Sequence, residues 1–150
     1  MKAAGYMEII QKSSEEILMK YTYTAIFTPI EYGSGYYCSV PDLPGCITTG
    51  KDLPDAIAMI TDAASIWLVG AEDDGEKIPE ASPQSLIPRE GNAILSMIIV
   101  DTIKYRAEND TRAVRKNVSI PAWMDAMVSR RKINCSQVLQ DGLRKILENA

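Results

Sequence analysis

The chain has 150 residues, 46% hydrophobic and 24% charged, with a net charge of −4, an ordinary composition for a globular domain plus a small appendage. It contains no histidine, which removes Ser-His-Asp and Cys-His nucleophiles, the commonest general acid–base group and most transition-metal sites. Charge is unevenly placed. Residues 1–105 hold 7 Lys/Arg against 15 Asp/Glu, and residues 106–150 hold 9 against 5, so an acidic body precedes a basic tail suited to an anion such as nucleic acid.

Cys38, Cys46 and Cys135 are odd in number and form no CxxC pair, so they read as reduced thiols with no metal or disulfide role. No run approaches the roughly 18 apolar residues of a membrane span. Glu8, Glu15 and Glu16 interrupt any signal-like stretch, and the expectation is a cytoplasmic protein without membrane contact or cofactor.

In residues 1–18, Ile9-Ile10 and Ile17-Leu18 flank a polar stretch, a weakly amphipathic helix at best and an extension outside the main domain. From Tyr21 to Thr28 the side chains alternate, with Tyr21, Tyr23, Ala25 and Phe27 on one face of a strand. Gly33-Ser34-Gly35 turns the chain into a second strand, Tyr36–Val40, and Pro41-Asp42-Leu43-Pro44-Gly45 breaks the ladder before a short third strand, Cys46–Thr49. Asp52 is placed to cap a helix with Pro54 in its first turn. Leu53, Ala56, Ile57, Ile60, Ala63, Ala64, Trp67 and Leu68 make one apolar stripe, Gly70 is the expected stop, and Glu72–Lys77 reads as a solvated loop. Residues 78–93, with Pro79, Pro83, Pro88 and Gly91, read as an irregular connection to a strand over Ile94–Val100, apolar enough to be covered on both faces. The order strand, strand, strand, helix, loop, strand is an α+β sandwich of one sheet and one helix, covering residues 19–101. Residues 102–111 are expected to be a polar linker.

The tail, 112–150, reads as one short strand and two short helices. Val114–Ile120 alternates, with Val118 and Ile120 facing one way and Arg115, Asn117 and Ser119 the other, until Pro121 stops it. Trp123, Met124, Met127 and Val128 give the first helix an apolar face. Asn134 is placed to cap the second helix, whose stripe is Val138, Leu139, Leu143, Ile146 and Leu147. One such strand leaves its backbone unpaired, and helices this short bury too little alone, so a second copy is expected: an antiparallel ribbon over interlocked helices. Such a ribbon fits the DNA major groove. Arg115 could then read a guanine edge, Asn117 an adenine, and Ser119 a base edge or phosphate. The first turn of the last helix, at Cys135 and Ser136, suits a phosphate. Arg112, Lys116, Arg130, Arg131 and Lys132 would supply salt-sensitive attraction.

Catalysis by the body would rest on Asp42, Asp52, Asp55, Asp62 and Asp101. Asp52 is accounted for as a cap, Asp55 as a partner of the helix dipole and Asp62 as a solvated acid; Asp42 lacks a structural account, and the acids that remain are too few to hold a catalytic metal. An acidic body without such groups suits the capture of a basic protein.

The run Tyr36-Tyr37-Cys38-Ser39-Val40-Pro41-Asp42-Leu43-Pro44-Gly45-Cys46-Ile47-Thr48-Thr49-Gly50, followed by Asp55-Ala56, resembles the HicB antitoxin family, and the tail resembles its ribbon-helix-helix subclass. The resemblance implies a partial RNase-H-like body of β-β-β-α-β order lacking the nuclease acids. It implies a HicA-type RNase toxin as partner, operator DNA as the tail's ligand, and repression of the protein's own operon. It also implies a homodimer through the tail and leaves a tetramer open. DNA-facing positions would be Arg115, Asn117 and Ser119; Asp42, Leu43 and Asp55 are the guesses for toxin contact. Lys116 departs from the pattern, standing where the ribbon's inner side is usually apolar. Two other readings stay open: a degenerate nuclease, and a solitary repressor with an unknown input.

Overall fold

A computed structural model of the chain describes residues 20–148, and the expected N-terminal extension, 1–18, lies outside them. The described residues fall into two compact units, a body ending at Arg106 and a tail beginning at Ala107.

The body is a four-stranded antiparallel sheet, in order β3-β2-β1-β4, with a helix on one face. Its elements are β1 (Lys20–Pro29), β2 (Tyr36–Ser39), β3 (Ile47–Gly50), α1 (Leu53–Asp74), a 3-10 turn (Gln84–Leu86), β4 (Ile94–Asp101) and α2 (Thr102–Asn109). The expected alternation in β1 is present: Tyr23, Ala25 and Phe27 are buried under α1, joined by Cys38 and Val40 beside β2 and by Ile98 and Val100 of β4. Ala56, Ile60, Ala64 and Leu68 are the matching face of α1. Together they form one core.

Three expectations are corrected. Helix α1 does not stop at Gly70 but runs to Asp74, because Gly75, at φ 67°, supplies the left-handed cap and Glu76 donates its N–H to the Ala71 carbonyl at 2.9 Å. The helix thereby gains the length and apolarity of a membrane span, although one face of it is the core of the sheet. Strand β4 is covered on one face only: Ile98 and Val100 are buried, while Met97 is 50% and Ile99 69% exposed. An apolar run alone does not tell a doubly covered strand from one with an open outer side. The expected linker 102–111 holds a helix, α2, whose start is capped by Asp101 accepting the Lys104 N–H at 3.0 Å.

The tail carries α3 (Ala122–Arg130) and α4 (Cys135–Glu148), the two expected helices. Asn134 caps α4 as expected, accepting the Gln137 N–H at 3.1 Å. Residues 110–121 take no regular structure in the single chain, so the strand expected over Val114–Ile120 is not formed there. The reason is the one that called for a second copy: a lone strand has no ladder to join.

Candidate functional site

The motif residues of the body turn out to hold it together. Asp42, half-buried, accepts the Ser82 N–H at 2.9 Å and the Ser82 hydroxyl at 2.6 Å, which clamps the long 78–93 connection to the turn after β2. The Tyr23 hydroxyl donates to the Pro79 carbonyl in the same connection, and burial, then the nearby Asp42 charge, pushes the Tyr23 phenol up. Leu43 is 1% exposed and belongs to the core. The Pro44 carbonyl accepts the Trp67 indole N–H at 3.0 Å, which ties the turn to α1.

Gly50 closes β3 where a Cβ would collide with the backbone of Ala56, so the glycine and the alanine of the motif are two sides of one close approach. Asp55 accepts the Lys51 N–H at 2.9 Å while its own N–H donates to Asp52 at 2.8 Å, a reciprocal cap for α1. Of the three residues guessed to face a toxin, Leu43 therefore offers no surface, Asp42 is engaged by Ser82, and Asp55 is a capping residue that remains partly exposed.

A second cluster escaped the sequence reading. Glu72, near the end of α1, accepts the Tyr21 hydroxyl at 2.9 Å and the Thr102 hydroxyl at 2.8 Å, and its other oxygen lies 3.1 Å from the Arg106 guanidinium. Arg106 also reaches Asp73 at 2.8 Å, and that bond holds the guanidinium above its ordinary pKa. Burial, then the Glu72 contact, pushes the Tyr21 phenol up. The cluster joins β1, α1 and α2. Its only sequence signal was Glu72, hidden in what looked like a solvated acidic run.

Among the described residues, no three His, Cys, Asp or Glu side chains gather where a metal ion could sit. Cys38 and Cys46 are buried free thiols, and burial raises both; Cys135 is exposed. The acids weighed as catalytic are scattered: Asp52 and Asp55 cap α1, Asp42 holds Ser82, Asp101 caps α2 and lies 3.8 Å from Lys20, and Asp62 is exposed on the far side of α1.

The tail residues are arranged differently. Arg115, Lys116, Asn117 and Ser119 are exposed along the irregular 110–121 stretch. Arg112 donates to both carboxylate oxygens of Asp110 through two 2.8 Å hydrogen bonds, which raise its pKa. Cys135 and Ser136 open α4, in the turn whose N–H groups point away from the helix. Lys132, at φ 51°, takes the left-handed position that ends α3, and Ile133 donates back to the Val128 carbonyl at 3.1 Å.

The chain is similar to a 14.9 kDa uncharacterized protein from the rep-hol intergenic region of Haemophilus phage HP1, 31% identical over 93 residues, which are 60% of this chain and 67% of that one. A UPF0150 protein of Thermoplasma acidophilum is 37% identical over 65 residues, 43% of this chain and 91% of its own. In a solved toxin–antitoxin complex from Streptococcus pneumoniae, one chain shares the fold at TM-score 0.55 and 21% identity, over 85% of this chain and 99% of its own. The model of the HicB-like antitoxins of bacterial toxin–antitoxin systems matches residues 23–141, from β1 into α4. A match across the body and most of the tail places the chain in the HicB-like antitoxin family.

Proposed function

We propose that this antitoxin neutralises a HicA-type RNase toxin with its body, and that its tail pairs as a ribbon-helix-helix dimer to bind operator DNA and repress its own operon. The observation that carries the tail's part is its surplus of exposed apolar surface. Val118, Ile120, Trp123, Met127, Val138, Leu139, Leu143 and Leu147 are all exposed in the single chain, beside a stretch whose backbone has no ladder. A second copy supports both needs at once: an antiparallel partner for residues 114–120 and a facing stripe for α4. The paired ribbon would turn Arg115, Asn117 and Ser119 toward base edges, with Arg112, Lys116 and the first turn of α4 at Cys135 and Ser136 near phosphates. Lys116 would lie on the ribbon's inner side, where its stem can pack while its ammonium reaches the rim.

For the body, the family supports a protein partner, and the scatter of its acids supports binding over catalysis. Three experiments test the reading. Sedimentation of the full chain should give a dimer, and DNA upstream of its own gene should be retarded on a gel in a salt-dependent way. Co-expression with the adjacent open reading frame should recover a complex. A monomer with no affinity for that DNA would overturn the tail's part, and an adjacent product that never binds would overturn the body's.

A further inference from the structure

We propose that the outward face of α1 is the surface on which the body grips its toxin, and that it works by imitating RNA. The inference rests on the reading that the partner is an RNA-cleaving toxin. Opposite the buried stripe, Asp55, Met59, Asp62, Ile66, Gly70 and Asp73 recur at four, seven, eleven, fifteen and eighteen residues from the first, one continuous strip about 27 Å long. Met59 is 44% and Ile66 56% exposed, although both stand on the helix whose other face is part of the core. The core does not need these two apolar residues. Helix α1 contains no lysine or arginine; Arg106 pairs with Asp73 at the far end of the strip, and its middle, Met59, Asp62 and Ile66, has no ion-pair partner. The Asp62 side chain, between Met59 and Ile66, makes no hydrogen bond or ion pair among the described residues.

Charge selects the occupant. A second copy of this chain would set carboxylate against carboxylate, and an anionic membrane surface would be repelled. An enzyme that binds RNA must present cationic groups to the phosphates and apolar or aromatic faces to the bases. A strip of spaced carboxylates with Met59 and Ile66 between them offers a counterpart to both. Gly70, with open space where a Cβ would stand, lets a partner approach the helix backbone closely. The open side of the sheet, at Tyr37, Ile47, Met97 and Ile99, is also apolar and exposed but holds none of these charges.

The test uses the full chain, the purified product of the adjacent gene, and a labelled single-stranded RNA which that product binds. Asp62→Lys should weaken the complex by roughly tenfold or more and flatten its salt dependence, with the melting temperature unchanged because Asp62 is exposed and unpaired. Ile66→Ser should weaken it less, and Ile99→Asp, on the sheet's open side, should leave it intact. Wild-type chain should displace the RNA. Unaltered binding by Asp62→Lys, or loss only in Ile99→Asp, overturns the strip and leaves the toxin reading standing. Simultaneous binding of RNA and antitoxin overturns the mimicry. A product that does not bind the wild-type chain at all overturns the toxin reading and the strip together.

Discussion

The body and the tail use similar proportions of apolar residues to opposite ends. In the body, Phe27, Ile60, Leu68 and Val100 are wholly buried, and the exposed apolar residues form surfaces around a finished core. In the tail, none of the described residues from 107 to 148 is buried; Trp123 is 67% and Leu147 50% exposed. A helix lying on a four-stranded sheet closes a core by itself, whereas two short helices and an unpaired segment do not. The body should therefore be stable at any dilution, while the tail's stability should depend on concentration through whatever covers it.

The largest way to break that contrast is Leu143→Asp, which places a charge in the exposed stripe of α4. Sedimentation should show the full chain falling from dimer to monomer at micromolar concentration, since an unpaired carboxylate in an apolar interface is strongly disfavoured. The urea transition of the body should not move. A variant that stays dimeric would show that the tail's apolar face is not the interface. The mirror experiment is Leu68→Ala, a cavity in the body's core, which should cost about 2–5 kcal/mol in urea unfolding. A loss well below that would mean the body is less closed than its burial indicates.

Two smaller substitutions sharpen the contrast. Arg115→Ala should reduce operator affinity by roughly tenfold or more in a gel-shift titration, with the dimer intact. If the dimer falls apart instead, Arg115 belongs to the ribbon's inner side. Asp52→Ala, which removes the cap of α1, should lower body stability by about 1 kcal/mol without touching dimerisation.

How legible this was in the sequence depended on the range over which each feature acts. Strand alternation in β1, the cap at Asp52, the stripe of α1 apart from Ile57, which is 40% exposed, and the cap at Asn134 are set by neighbours within a turn or a pleat, and were readable. The partners of Asp42 and Glu72 were not. Ser82 lies forty residues from Asp42, and Thr102 and Arg106 lie thirty and thirty-four from Glu72, so no local period reports them. The end of α1 was misplaced for a related reason: Gly70 and Gly75 are both plausible stops, and the choice depends on a fold-level gain, the Glu72 contacts. The recognisable motif does not by itself mark a site. Its residues look functional because they are distinctive, yet the Asp42 clamp, the buried Leu43 and the Gly50–Ala56 approach account for them as architecture. The strip on α1 had been readable only as the polar side of a helix, because spacing does not say that Met59 and Ile66 are unneeded inside.

The smallest effect tests the cluster at the end of α1. Burial, reinforced by the hydrogen bond to Glu72, raises the Tyr21 phenol in the folded state, whereas an unfolded tyrosine ionises near about 10. The folded protein therefore holds this proton more tightly, so its contribution is fully present below about pH 10 and is lost as pH rises further. Tyr23, Cys38 and Cys46 are raised by burial too and add losses of the same sign at alkaline pH, so a steep decline in the wild type alone would identify nothing. The informative quantity is the difference between the wild type and Tyr21→Phe in urea midpoints across about pH 9 to 11. Near neutrality Tyr21→Phe should be less stable by about 1 kcal/mol, the net worth of one hydrogen bond, and the two curves should converge as pH rises. Curves that run parallel through that window would mean the Tyr21 hydroxyl is exchanged for water in solution, and that Glu72 is held by Thr102 and Arg106 alone.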